Sequence, residues 1–185
     1  MSLIEKTGAP IGSYAPDFEL PGVDDTVHHL ARYLEQYQIV GVVFLANHCP
    51  DVERYVGRLK QLQAEFQSQG LTLIGINAND AMQNPQESFE QMKVFATQQS
   101  LNFPYLRDVT QDVAHCFGAE STPEVFLLNH QGAICYRGGI DDSPEDPSAA
   151  TQVYLQAAIA QLLAGKPVNP EIAPTTGCPI TWRTP

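Results

Sequence analysis

The sequence predicts an α/β protein with a mixed sheet between layers of helix, and three observations carry that prediction. Two apolar, β-branched runs, "IVGVVFLA" at 39–46 and "LTLIGI" at 71–76, lack polar alternation, as strands buried on both faces do. A helical pattern lies between them, and a strand–helix–strand connection is parallel and right-handed. Two later runs, "EVFLLN" and "AICYRG", flank His130-Gln131-Gly132 and read as an antiparallel hairpin. Parallel and antiparallel pairs interleaved with helices give a mixed sheet covered on both faces.

Each element has its own warrant. Residues 10–27 carry Pro, Gly and Asp punctuation around short apolar pairs, which reads as an irregular start and a short hairpin. "HLARYLEQY" is a short helix. After the first buried run, Val52, Tyr55, Val56, Leu59, Leu62 and Phe66 recur at helical spacing, with Arg54, Arg58, Lys60 and Glu65 between them, and Gly70 closes the helix. After the second run, "NANDAMQNPQ" is a polar loop in which Asn79 and Asp80 shape a turn. Phe89, Met92, Phe95 and Ala96 then mark one side of a helix, and a short helix follows "FPYLRD" at about 110–117. An acidic, proline-bearing loop at 141–147 leads to a last helix with Leu155, Ala158, Ile159, Leu162 and Leu163. The order is β-α-β-α-β-β-α after an N-terminal β extension. One domain spans 1–185, with its core at about 14–165 and an extended, proline-rich tail at about 166–185.

Composition limits the function. The chain has 185 residues, ordinary apolar (43%) and charged (17%) fractions, and 21 acidic against 10 basic side chains. That balance argues against nucleic acid or an anionic membrane as partner. No apolar run approaches the roughly 20 residues that span a bilayer. Met1–Lys6 lacks the apolar core of a secretory signal, so the expected location is cytoplasmic. Cys49, Cys116, Cys135 and Cys178 are widely spaced and form no Cys-x-x-Cys pair, so neither a zinc site nor a dense disulfide framework is expected. No cofactor is called for. Asp141, Asp142, Glu145 and Asp146 lack EF-hand spacing and read as a solvated loop.

The junction "FLANHCPDVERYVGRL" concentrates the chemistry. Cys49 ends a buried strand and begins a helix, where unpaired N–H groups and the helix dipole favour a thiolate. Pro50 suits the first helical turn, because the N–H it lacks would be unpaired there. Asn47 and His48 complete the junction, and His48, when protonated, would add positive charge.

Strand–Cys-Pro–helix, followed much later by Ser121-Thr122-Pro123 before "EVFLLN", resembles the thioredoxin fold. More closely, "FLANHCP", "INANDAMQNPQESFEQMK", "FPYLRDVTQDVA", "GAESTPEVFLLN", "YRGGIDDS" and "GCPITWR" resemble thioredoxin-like proteins of the alkyl hydroperoxide reductase/thiol-specific antioxidant superfamily. The resemblance covers nearly the whole chain. It implies that Thr122-Pro123 is a cis-proline element facing Cys49, and that the protein is an oxidoreductase with antioxidant activity. Three departures matter. Val52 stands where a thioredoxin has its second cysteine. Ala46 stands where a peroxiredoxin has the threonine that polarises peroxide, with no arginine placed to assist it. Ser121 stands where relatives often carry a cysteine.

Three readings stay open. One is a thiol–disulfide oxidoreductase with Cys49 as nucleophile. It would act on protein or small-molecule thiols and disulfides, with thioredoxin or glutathione as reductant. The second is a weak thiol peroxidase, and the third a non-catalytic module that docks a peptide along the cis-proline edge. Cys135 and Cys116 are expected to pack. Cys178, in "TTGCPITW", is expected to be held in a turn by Gly177 and Pro179. Ile180 and Trp182 are expected to anchor the tail by burial. A lone reactive cysteine stalls as a mixed disulfide unless a second thiol attacks it. The tail is therefore expected to travel back over Cys49, and oxidation to link Cys49 to Cys178. The alternative is that Cys178 packs beside Trp182 while an outside thiol resolves Cys49.

Overall fold

The computed structural model describes residues 8–185; Met1–Lys6, read above for a leader, lie outside them. The N-terminal hairpin pairs β1 (Glu19–Pro21) with β2 (Val27–His29), at the end of the punctuated region and beyond it. The sheet strands are β3 (Ile39–Phe44), β4 (Leu71–Asn77), β5 (Tyr105–Arg107), β7 (Glu124–Asn129) and β8 (Ile134–Gly138). The helices are α1 (Leu30–Gln36), α2 (Pro50–Phe66), α3 (Phe89–Gln98), α4 (Asp112–Phe117) and α5 (Tyr154–Leu163). Two short strands, β6 (Ser121–Thr122) and β9 (Cys178–Pro179), form a separate pair.

The five-stranded sheet has the order β5-β4-β3-β7-β8. β3 and β4 run parallel in register from Ile39↔Leu71 to Phe44↔Ile76, and β7 returns antiparallel on the other side of β3. Every residue of β3 and β4 is buried, which is why neither shows alternation. Alternate residues of β3 serve two cores. Ile39 and Val43 face α2, α3 and α5, whereas Val40, Val42 and Phe44 face Leu30, Phe117 and the tail residue Ile180. The pleat of one strand thus places helices on both sides of the sheet.

Four readings need correction. β5 was not foreseen. It has three residues and ends on Arg107, whose guanidinium is buried by donating to Asn77 Oδ1, Glu87 O and Asn79 O. Cys116 does not pack: α4 has six residues and buries Ala114 and Phe117, three apart, which leaves Cys116 exposed. Asp141 is not solvated. Arg58 of α2 reaches it at 2.6 Å and the Tyr55 hydroxyl at 3.2 Å. Burial and that carboxylate push the Tyr55 phenol up to about 12. Finally, Cys178 lies in a strand and not a turn. Cys135 is half-buried against the core, and burial raises its thiol above the ordinary range.

Candidate active site

Cys49 is the N-cap of α2, with extended backbone (φ −149°, ψ 122°), and Pro50 occupies the first helical turn. The chain therefore leaves the sheet at β3 and enters α2 on the cysteine itself. The approach is fixed by a carboxylate that the sequence did not flag. Glu87 is 1% exposed and accepts the N–H groups of Asn47 (2.8 Å) and His48 (3.0 Å), the two residues before Cys49. Its Oε2 also accepts from Asn77 Nδ2 at 2.8 Å. Tyr105 donates its hydroxyl to Asn47 Oδ1 at 2.7 Å, and burial beside Glu87 holds that phenol well above its ordinary value. The imidazole of His48 is exposed, so the residue contributes mainly its backbone.

The second half of the site is the tail. Thr122-Pro123 is a cis peptide, and β6, which ends on Thr122, pairs antiparallel with β9 in the register Ser121↔Pro179 and Thr122↔Cys178. Cys178 is thereby set beside Cys49, and the two are joined by a disulfide with a Cα–Cα separation of 6.1 Å. The Cys49 sulfur lies 3.5 Å from the carbonyl oxygen of Thr122, so a reduced thiol there would have an acceptor. The backbones approach so closely that a Cβ on Gly177 would stand 2.2 Å from that same oxygen.

Unlike the mobile arm expected from the sequence, the tail is fastened on both sides of Cys178. Upstream, Arg137 N–H donates to Glu171 O (2.9 Å), Ala173 N–H to Arg137 O (3.1 Å) and Gly139 N–H to Pro174 O (3.1 Å). Downstream, Ile180 N–H donates to Glu120 O at 3.0 Å, and Ile180 is buried in the second core. Thr181 N–H donates to Asn79 Oδ1 (2.8 Å), and Thr181 O accepts from Asp80 N–H (2.9 Å) and Gln111 Nε2 (3.0 Å). Gln111 Oε1 accepts Arg183 N–H at 2.9 Å, and Trp182 stacks on His115 with centroids 4.1 Å apart. Asn79 and Asp80 thus do more than shape a turn. With Gln111 they form a largely buried polar clamp on the tail's main chain.

The electrostatics at Cys49 oppose one another. The helix N-terminus favours a thiolate, but Cys49 is 1% exposed, and an Asp51 carboxylate oxygen and both sulfurs all lie within 4.8 Å of one another. This is the sole group of three or more potential metal ligands among the described residues, and two of its sulfurs are spent on each other in the disulfide. No arginine bond or ion pair recorded among the described residues reaches Cys49. Arg54 pairs with Asp51 and Glu145, Arg58 with Asp141, and Arg137 with Glu124. No helix among the described residues is long and apolar enough to cross a membrane.

Comparison with known proteins places this geometry. The crystal structure of a hypothetical protein from Sinorhizobium meliloti 1021 superposes with a TM-score of 0.89 at 32% identity, covering 97% of this chain and 98% of that one. The thiol-disulfide oxidoreductase ResA of Geobacillus thermodenitrificans is 28% identical over 130 residues, 70% of each chain. Peroxidoxin BcpB of Mycobacterium tuberculosis shares the fold, with a TM-score of 0.60 at 21% identity over 83% of this chain and 94% of that one. The architecture is thioredoxin-like, as the resemblance implied. The AhpC/TSA family model matches residues 11–137, from before the N-terminal hairpin to near the end of β8, so the chain belongs to the AhpC/TSA family and carries Cys178 on a tail beyond the matched span.

Proposed function

We propose that this is a thiol–disulfide oxidoreductase whose redox couple is Cys49 and Cys178. The observation that carries the reading is the disulfide itself, which joins the N-cap of α2 to a tail strand paired beside the cis Thr122-Pro123 bond. The tail supplies the second sulfur that Val52 does not. Reduction takes up two electrons, and two protons when both thiols are neutral; oxidation of a dithiol donor supplies them. Asn47, His48 and Pro50 fix the backbone on the Cys49 side, while Thr122 and Pro123 provide the facing wall. Thioredoxin or glutathione in a cytoplasmic setting is the reductant this reading takes, and the ResA name borne by a relative supports thiol or disulfide substrates.

Peroxide chemistry ranks second. Family membership allows it, but Ala46 is buried and has no hydroxyl with which to polarise an O–O bond. The test is turnover of a model peptide disulfide with glutathione as electron source, for wild type, Cys49→Ser and Cys178→Ser. The reading requires wild-type turnover that both substitutions lower. Turnover at the uncatalysed rate in wild type, or unchanged in both variants, would refute it.

A further inference from the structure

We propose that exchange with outside molecules runs through Cys178, with Cys49 as the internal partner that opens and closes the disulfide. This rests on the reading above and reverses the order that a cysteine at a helix N-terminus suggests. Thiol–disulfide exchange depends on which sulfur is attacked and on access to it. A thiolate attacks along the S–S axis, from the side opposite the leaving sulfur. For Cys49 that side is the protein interior, because Cys49 is 1% exposed and belongs to the core formed with Ala46, Val52 and Tyr55. Cys178 is only half-buried, on a tail where Thr175, Thr176 and Pro179 are exposed.

Reduction does not uncover Cys49, because the tail's fastenings do not involve sulfur. The Asn79, Asp80 and Gln111 bonds to Thr181, the Ile180 burial, and the upstream bonds at Glu171, Ala173 and Pro174 all use atoms other than the two sulfurs. The dithiol therefore stays assembled, with Cys49 beneath and Cys178 above.

An outside thiolate RS⁻ attacks the Cys178 sulfur, the Cys178–Cys49 bond breaks, and Cys49 leaves as a thiolate at the N-terminus of α2. The new bond is RS–S–Cys178. A second donor thiolate attacks the R sulfur and releases Cys178 as a thiolate. The donor is now a disulfide, and the protein has gained two electrons. In reverse, the Cys178 thiolate attacks a substrate disulfide and expels one substrate thiolate. Cys49 then attacks the Cys178 sulfur and expels the other. The mixed disulfide sits on Cys178 in both directions. Since β9 already occupies the β6 edge, a substrate cannot add a strand there. The site therefore suits small thiols and exposed disulfides better than a docked extended peptide.

The experiment treats oxidised protein carrying Cys116→Ser, which removes the exposed bystander thiol, with excess glutathione. The reaction is acid-quenched at intervals, free thiols are alkylated, and the peptides are mapped by mass. The proposal expects early glutathione adducts on Cys178, with the alkyl group on Cys49. Adducts on Cys49 with alkylated Cys178 would overturn it while leaving the redox couple intact. An intact disulfide under conditions that reduce a small-molecule disulfide would overturn both. A second measurement covers short-lived adducts. Cys49→Ser and Cys178→Ser are each reacted with an aromatic disulfide reagent in the same background, and release of its coloured thiol is followed. Capture should be at least about tenfold faster when Cys178 is the thiol that remains, a ratio set by access. Equal rates, or faster capture by Cys49, would sink the assignment.

Discussion

Gly177→Ala isolates the seating of the tail from the sulfur chemistry. The substitution leaves both cysteines in place and puts a Cβ 2.2 Å from the Thr122 carbonyl oxygen and 2.7 Å from its carbon, both backbone atoms that cannot rotate away. An ordinary contact begins near 3.4 Å, so the two segments must part by about 1.2 Å. The disulfide tolerates less. Its Cα–Cα separation is 6.1 Å, and the usual upper bound is roughly 6.8 Å. The reduced chain relieves the clash by lifting the tail, whereas the oxidised chain has to carry it. Lifting forfeits the β6–β9 pairing and the Ile180 N–H bond to Glu120, at about 1 kcal/mol for each hydrogen bond. The reduced form lifts only because the overlap costs more, and the oxidised form has to bear that larger cost. For a two-electron couple, every 1.4 kcal/mol or so by which the overlap exceeds the cost of lifting moves the midpoint about 30 mV more oxidising and lowers the equilibrium constant for disulfide formation about tenfold. Equilibration in glutathione redox buffers, followed by acid quench and alkylation, reads the shift directly. Gly57→Ala in α2, where a Cβ meets nothing within 4 Å, is the control and should leave the midpoint alone. An unchanged midpoint in Gly177→Ala, with Cys49 no more readily alkylated after reduction, would refute the argument that close backbone seating holds the couple together.

Three further outcomes are expected. Asn79→Ala removes the acceptor for Thr181 N–H, so Cys49 in the reduced protein should alkylate faster and stability should fall by about 1–2 kcal/mol. An alkylation rate unchanged from wild type in Asn79→Ala would remove the clamp from the account. Asp108 is fully buried, one of its oxygens has no hydrogen-bond partner, and burial raises its carboxyl above the ordinary range. Its folded-state pKa exceeds the unfolded one, so its contribution is full at low pH and is lost as pH rises through the folded pKa. Asp108→Asn should therefore raise Tm more at pH 7 than at pH 4; a gain independent of pH would contradict this. Hydrogen peroxide should react slowly, about a hundredfold or more below a site with its polarising donor in place, because Ala46 donates nothing. Stopped-flow rates matching a dedicated peroxidase would show that another group supplies that polarisation.

What could be read in the sequence followed burial and local chemistry. β3 and β4 were legible because strands buried on both faces have no polar positions to confuse the pattern. Cys49 was legible because a Cys-Pro step between such a strand and an amphipathic helix has few packing explanations. Cys178 was legible only by elimination, as the thiol in an irregular tail. The clamp was not, because Asn79, Asp80 and Gln111 are polar residues in loops, and their hydrogen bonds go to main-chain atoms up to 102 residues away. Glu87 was invisible for the same reason: a carboxylate accepting backbone N–H groups leaves no periodic trace. Gly177 is required by proximity to Thr122 and not by a positive φ, so no local turn pattern marks it. Cys116 was misplaced because periodicity says little over the six residues of α4.

A redox titration of the wild-type chain, with peptide-level mapping of all four cysteines, reads the couple most directly. One reversible two-electron transition is expected, in which Cys49 and Cys178 pass together between disulfide and free thiols while Cys116 and Cys135 stay reduced throughout. A Cys49–Cys178 bond that never opens at the potentials of cellular thiols, or a transition that involves any other pair, would contradict it.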